Sequence, residues 1–423
     1  MAEDSGGWYP RFLTPRVVEA LGDTRIVLVQ GARQVGKSTL VSQIAHARNG
    51  LVISLDDPGA LEYALGDPAG FVDQAGDRLL VIDEVQRAPA LVLALKAAVD
   101  RDRRPGRFLL TGSADLTHIG PTHESLAGRV EALQLEPLSQ GELAGRSERF
   151  IDAVFSEDPP RLLHYSGALS RADYVDAALA GGYPEVLSRM DGRRRRETWS
   201  KQYIGQIVNR DAPDISELLR LHDLPRLLRL IAARSGSPVV WASLAQDVGL
   251  PRRTLPPYVD LLETLYLVRT LRSWAGSHSG REIKAPKLFL TDPGLMMATL
   301  GLGEGATSPL SRQDVVGPLM ETFVVNELHR QAAWNQTPVT FYHYRESDRA
   351  EVDVVAESHD GRVVGIEVKA AQTVQPRDVR ALARLRDRIG DRFRFGAILY
   401  TGRNTTQVSN RIQALPIDAL WRI

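Results

Sequence analysis

Over residues 1–140, short apolar runs alternate with stretches in which apolar side chains recur every three or four positions. The runs fall at 25–30, 51–55, 78–82, 107–110 and 131–135, with helical spacing between them, as at 38–47 and 90–99. Strands alternating with helices predict a parallel sheet covered on both faces. From 141 to 235 the spacing is helical, and 171–180 runs into Gly181-Gly182-Tyr183-Pro184-Glu185, a helix stop followed by a turn. Residues 238–272 read as a helix-turn-helix with a wing. Ser243 caps a helix to Val248, Gly249-Leu250 turns, a second helix starts at 251–254 with Leu261, Leu262 and Leu265 inward, and 266–271 forms the wing strand. Pro256 and Pro257 fall in that second helix and should kink or delay it, because each lacks an N–H donor. The last part opens with an amphipathic helix at 320–328. It continues with β-patterned runs at 339–344, 351–356 and 362–368, a helix at 376–389, and strands at 394–400 and 414–421.

The first apolar run leads straight into Gly31-Ala32-Arg33-Gln34-Val35-Gly36-Lys37-Ser38-Thr39 and a helix start. Glycines let successive N–H groups curl around an anion, and the helix N-terminus faces that anion with partial positive charge. In this Walker A pattern Lys37 reaches the β- and γ-phosphates and the Ser38 hydroxyl holds Mg²⁺. The predicted ligands are therefore ATP and Mg²⁺. The third run ends Val81-Ile82-Asp83-Glu84, a Walker B arrangement. Asp83 would act on Mg²⁺ through water, and Glu84 would polarise the attacking water. The fourth run ends Thr111-Gly112-Ser113. Either hydroxyl would contact the γ-phosphate or the water, and either would serve equally as a turn cap. Arg129, just before the fifth run, is placed to act as an arginine finger on a neighbouring subunit; the alternative is a surface arginine.

This order of motifs resembles the AAA+ ATPase family. The forms Gly-Ala-Arg-Gln-Val-Gly-Lys-Ser and Val-Ile-Asp-Glu-Val-Gln resemble a prokaryotic branch that carries a C-terminal PD-(D/E)xK-like domain. The resemblance runs over nearly the whole chain. It implies a helical lid containing Gly181–Glu185 and the segment 203–211, and a homo-oligomer, a hexameric ring in the AAA+ manner. It also implies that the Glu321 helix, Glu351-Val352-Asp353 and Ile366-Glu367-Val368-Lys369 form a nuclease-like core. Alternation puts Glu367 and Lys369 on one face of a strand, and Asp353 on the neighbouring strand can meet them. By the resemblance, Glu321, Asp353 and Glu367 would bind a divalent ion, and Lys369 would orient water or steady phosphate charge; the alternative is a surface ion-pair cluster on the sheet.

The expected class is thus α/β: a P-loop AAA+ domain (1–140), a helical lid (141–235), a winged helix (236–285) and a nuclease-like domain (286–423). Lys+Arg and Asp+Glu are equal at 52 each, so no global field draws the chain to nucleic acid, and DNA affinity must come from local patches. The four-arginine run at 193–196 reads first as a solvated loop and second as a phosphate contact. Cysteine is absent, which excludes disulfides and thiolate chemistry. No apolar stretch approaches membrane-spanning length and the N-terminus has no signal-peptide core, so the expected compartment is the cytoplasm. The leading functional expectation is ATP-dependent processing or remodelling of DNA, structure-selective rather than sequence-specific. The alternatives are a non-cleaving branch-migration or fork-remodelling motor, and a nucleotide switch in a regulatory, defence or toxin–antitoxin setting.

Overall fold

The computed structural model describes residues 9–114, 128–157, 165–188, 193–216, 218, 220–275, 284–302, 313–347 and 350–423. The chain divides into two compact units, one of Trp8–Leu138 with Thr264–Tyr266, the other chiefly of Ser139–Glu263 and Leu267–Ile423.

In the first unit the order is α1 (Thr14–Asp23), β1 (Ile26–Gln30), α2 (Lys37–Ala47), β2 (Leu51–Ser54), α3 (Pro58–Gly66), α4 (Pro68–Asp73), β3 (Leu80–Asp83), α5 (Leu91–Arg101), β4 (Phe108–Gly112) and β5 (Val130–Gln134). All five strands are parallel, in the order β2-β3-β4-β1-β5. Every residue of β1, β3 and β4 is buried, as a parallel sheet covered on both faces requires. Asp57 and Asp67 cap α3 and α4 through side-chain bonds to Ala60 N and Gly70 N, with Pro58 and Pro68 as first helical residues. Phe71, Leu80, Ile82, Leu95, Phe108 and Leu110 belong to one core under this sheet. Residues 115–127, which lead up to Arg129, lie outside the described residues.

The second unit begins as a series of helices. The Arg193–Arg196 run lies in the first turn of helix Arg193–Gln206, not in a loop. Helices Trp241–Val248 and Leu255–Thr264 follow one another, and after them comes an antiparallel pair, β6 (Val268–Leu271) with β7 (Lys287–Leu290). Two details differ from expectation. The N-cap of the first helix is Val240, and Ser243 instead lies within it and bonds Asp247. Pro256 and Pro257 sit in the first turn of the second helix, where a missing N–H costs little. That helix is delayed rather than kinked, and Arg252–Thr254 forms a 3-10 turn ahead of it.

A six-stranded mixed sheet follows, in the order β12-β13-β11-β10-β9-β8. Its members are β8 (Val339–Ser347), β9 (Ala350–Ser358), β10 (Val363–Lys369), β11 (Phe393–Tyr400), β12 (Thr406–Ser409) and β13 (Ile412–Pro416). Helix Pro376–Ile389 is the crossover between the parallel strands β10 and β11 and buries Leu382 and Leu385. The expected strand at 414–421 is shorter: β13 stops at Pro416, and Ile417–Trp421 is a buried 3-10 turn. Among the described residues no helix is long and apolar enough to cross a membrane.

Helix Gln313–Ala332 carries a fully buried ionic group. Arg330 reaches Glu327 Oε1 at 2.5 Å and Asp292 Oδ2 at 3.3 Å, with all three side chains at most 2% exposed. Glu327 also accepts from Gln140 N, and Asp292 from Gly182 N and Leu295 N. Nearby, burial first and the Glu327 charge second push Glu148 up to about 9.

Two outcomes follow. Arg330→Ala leaves buried carboxylates uncompensated and should lower stability by about 3–5 kcal/mol in urea unfolding. Glu148 holds a proton in the folded state that the unfolded chain releases above its ordinary carboxylate range. Its contribution is therefore full below that range and is lost as pH rises toward about 9. Glu148→Gln should flatten the fall of stability over this window by up to about 1.4 kcal/mol per pH unit, read from unfolding curves at a series of pH values.

Candidate nucleotide site and carboxylate cluster

The loop between β1 and α2 is made by residues that tolerate unusual backbone. Gly36 (φ 97°) and Gln34 (φ 61°) are left-handed. Gly31 passes so close to the chain leaving β5 that an added Cβ would lie 2.2 Å from Leu135 O. Arg11 braces the loop from outside, donating to Val35 O at 2.5 Å and to Glu136 O at 2.6 Å. Inside the loop, buried Lys37 donates through Nζ to Gly31 O and Ala32 O, both at 2.9 Å. Ala32 and Val35 are buried, whereas Gln34, Ser38 and Thr39 keep exposed surface.

Around this loop the C-terminal edges of β3 and β4 bring the predicted residues together. Ser38 Oγ lies 3.0 Å from both oxygens of Asp83. Thr111 Oγ1 donates to Asp83 Oδ1 at 2.5 Å and accepts from Glu84 N at 3.0 Å. Ser54 Oγ donates to Asp83 at 3.4 Å. Thr111, not Ser113, therefore meets the Asp83 carboxylate. Ser113 accepts at 2.9 Å from Gln86 Nε2, which also bonds Glu84 Oε2. Glu84 is held left-handed at φ 58°, a conformation that costs a non-glycine residue on the order of 1 kcal/mol or more. Gln86 ends the Val-Ile-Asp-Glu-Val-Gln stretch, but sequence patterning gives it no role toward Glu84 and does not pick out Arg11. Gln86 stands two residues from Glu84, but nothing local says that its amide turns back. Arg129 pairs with Asp100 of its own unit, Nε to Oδ1 at 2.8 Å, and its side chain is 27% exposed. A hydroxyl beside a buried carboxylate at a phosphate-binding loop is an oxygen donor set that suits Mg²⁺.

The second constellation lies in the other unit. Asp353 on β9 accepts from Val368 N at 2.8 Å, which brings it beside Glu367 and Lys369 on β10. Lys369 Nζ is 2.6 Å from Glu367 Oε1, and Glu367 Oε2 is buried without a hydrogen-bond partner. Glu321 reaches the cluster through a residue that sequence reasoning missed, Lys287 on β7. Its Nζ is 2.9 Å from Glu321 Oε1, 2.6 Å from Glu351 Oε1 and 3.7 Å from Asp353 Oδ1. Burial first and Asp353 second push Glu321 and Glu367 up to about 8. Burial alone would pull Lys287 down, but Glu321, Asp353 and Glu351 outweigh it and raise it above its ordinary value. Burial first and the Lys287 charge second depress His343 to about 4.

Comparison with known proteins fits the first site. Residues 23–144 match the AAA domain family. Residues 171–306 and 316–420 match two families described as domains of unknown function, DUF8612 and DUF4143. Uncharacterized proteins of Mycobacterium bovis (Mb2031c) and Mycobacterium tuberculosis (Rv2008c) are each 28% identical to the chain, over 96% of it and 83% of the relative. Among solved structures, a single-substitution variant of RuvB from Thermotoga maritima is 21% identical, covers 61% of this chain and 88% of its own, and has a TM-score of 0.31. An AMPPCP-bound DnaA of Aquifex aeolicus is 13% identical, covers 59% and 86%, and scores 0.29. Values this low add nothing to the reading of either site. The AAA-domain match and the loop chemistry identify the N-terminal part as a P-loop ATPase of the AAA type.

The site makes a graded prediction. Lys37→Ala should abolish ATP hydrolysis. Glu84→Gln should retain ATP and lower turnover at least about 100-fold, because it removes the water-polarising carboxylate and leaves Ser38 and Asp83 in place. Gln86→Ala should lower kcat less than Glu84→Gln does, with little change in nucleotide affinity. Steady-state kinetics and retained labelled ATP distinguish these outcomes.

Proposed function

We propose that this protein is a Mg²⁺-dependent ATP hydrolase whose nucleotide cycle binds and remodels DNA. The observation that carries the hydrolase is the meeting of Lys37, Ser38, Asp83, Glu84 and Thr111 at one sheet edge. Lys37 supplies positive charge to the β- and γ-phosphates. Ser38 and Asp83 would hold Mg²⁺, which neutralises phosphate charge when bound with the nucleotide. Glu84 takes up the polarised proton of the attacking water, and Gln86 with Ser113 keeps its carboxylate turned into the site. Arg129 would serve a neighbouring subunit in a ring, a hexamer by likeness to AAA+ assemblies, exchanging Asp100 for the phosphate of the adjacent site.

DNA is supported by a local charge pattern where the whole chain has none. Helix Pro376–Ile389 buries Leu382 and Leu385, while Arg377, Arg380, Arg384 and Arg388 follow one another at three- and four-residue spacing. These positions are exposed and form one stripe about 16 Å long. Arg388 is partly engaged by Glu346 at 2.8 Å, and Arg377 stands 4.0 Å from Asp378. A stripe of guanidinium groups suits a phosphate backbone and carries no base readout, which fits recognition of DNA shape rather than sequence. The helix–turn–helix and its β6–β7 pair, read as a winged helix, would assist assembly or contact DNA.

ATPase rates with single-stranded, duplex and branched DNA at low salt test the proposal. Stimulation is expected, strongest on a branched substrate. Arg380→Ala/Arg384→Ala should weaken it and lower the salt slope of DNA binding by about 2, leaving basal hydrolysis unchanged. Hydrolysis without DNA binding or stimulation would reject the DNA role and leave the nucleotide switch.

A further inference from the structure

The nuclease-like reading of the C-terminal unit requires a divalent cation among Glu321, Asp353 and Glu367. The residues present do not fit one. Among the described residues no group of three or more histidine, aspartate or glutamate side chains is arranged to hold a metal ion. The space between the acids is taken instead by the ammonium of Lys287, at 2.6 Å from Glu351, 2.9 Å from Glu321 and 3.7 Å from Asp353. Divalent ions such as Mg²⁺ and Ca²⁺ would need the same oxygens at roughly 2.0–2.6 Å, so the ion and the ammonium compete for one place.

Three further observations hold the ammonium there. The Lys287 side chain is 1% exposed, so it has no open route to solvent. It projects from β7, whose ladder with β6 fixes the strand, and Lys287 also bridges to Pro238 on its other side. The second Asp353 oxygen is already used by Val368 N, and Glu367 is paired through Oε1 with Lys369, which leaves its buried Oε2 alone without a hydrogen-bond partner. A buried charge without a partner is far costlier than a paired one, so the acids and the lysine stabilise each other.

We infer that Lys287 is the resident cation of this cluster, an internal ammonium standing where a phosphodiester-cutting site would hold its metal. The C-terminal unit then does not hydrolyse DNA, and its acidic residues position strands β7, β9 and β10 around the helix that carries Glu321. This concerns the C-terminal unit alone and stands or falls separately from the ATPase and its stimulation by DNA.

The test is Mn²⁺ binding, followed by electron paramagnetic resonance, in full-length nucleotide-free protein carrying Asp83→Asn to silence the P-loop ligand. No bound Mn²⁺ is expected up to millimolar concentration, and no cleavage of linear, nicked, flapped or four-way DNA by the wild type with Mg²⁺ or Mn²⁺. Adding Lys287→Met should lower the melting temperature and create a Mn²⁺ site that partly restores it. Should Lys287→Met fail to fold, adding Glu321→Gln should recover the fold by removing the stranded charge. One Mn²⁺ bound with Lys287 intact and released by Asp353→Asn would overturn the inference. So would Asp353-dependent DNA cleavage by the wild type, or a Lys287→Met protein that melts like its parent and gains no Mn²⁺ site.

Discussion

A charge withdrawn from water must find its opposite, or a full set of hydrogen bonds, within the fold. Three such charges organise this protein. Asp83 collects the hydroxyls of Ser38, Thr111 and Ser54, and in doing so brings α2, β2, β3 and β4 to a common edge. Arg330 ties Glu327 to Asp292 and so joins the helix Gln313–Ala332 to the cap of helix Pro293–Thr299. Lys287 gathers Glu321, Glu351 and Asp353. Hydrophobic burial makes each unit compact, but a strand covered on both faces can slip by one residue and stay buried. A single fixed charge cannot, because a shift of one residue on a strand would send the carboxylate to the opposite face.

The two sites use this constraint in opposite ways. At the nucleotide loop the carboxylate is held by neutral hydroxyls, so its negative charge is still available to an incoming cation. In the C-terminal sheet a covalently attached cation already stands among the acids. Residues of the same chemical type therefore stand around neutral hydroxyls in one unit and around a lysine ammonium in the other. What separates them is the partner that sequence spacing does not show.

Much of this is legible in the order of residues alone. The apolar runs of the N-terminal part become five parallel strands, with β1, β3 and β4 buried throughout and β2 and β5 partly exposed at the sheet edges. The Gly31–Ser38 loop is legible because its glycines, lysine and serine are all local. Asp353, Glu367 and Lys369 are legible too, since strand alternation is local and a hairpin brings neighbours together. The failures share a cause. Lys287 lies outside the nuclease-like motif and meets it only through tertiary packing. Ser243 has the chemistry of a cap, but Val240 precedes the helix and the serine finds Asp247 instead. The run at 414–421 reads as one strand, and only the neighbouring strands decide that pairing ends at Pro416. The arginines at 193–196 favour a helix by propensity but show no apolar periodicity, and the helix Arg193–Gln206 includes them.

Arg11 has a mechanical meaning. Its one planar group grips Val35 in the phosphate-binding loop and Glu136 in the chain that leaves β5. The same exit strand crowds Gly31 through Leu135. The loop is thus held like a bearing between a strut and a stop. A displacement of the loop loads the exit strand, and tension on the exit strand loads the loop. The loop between β1 and α2 and the chain that leads onward from the sheet share one coupling.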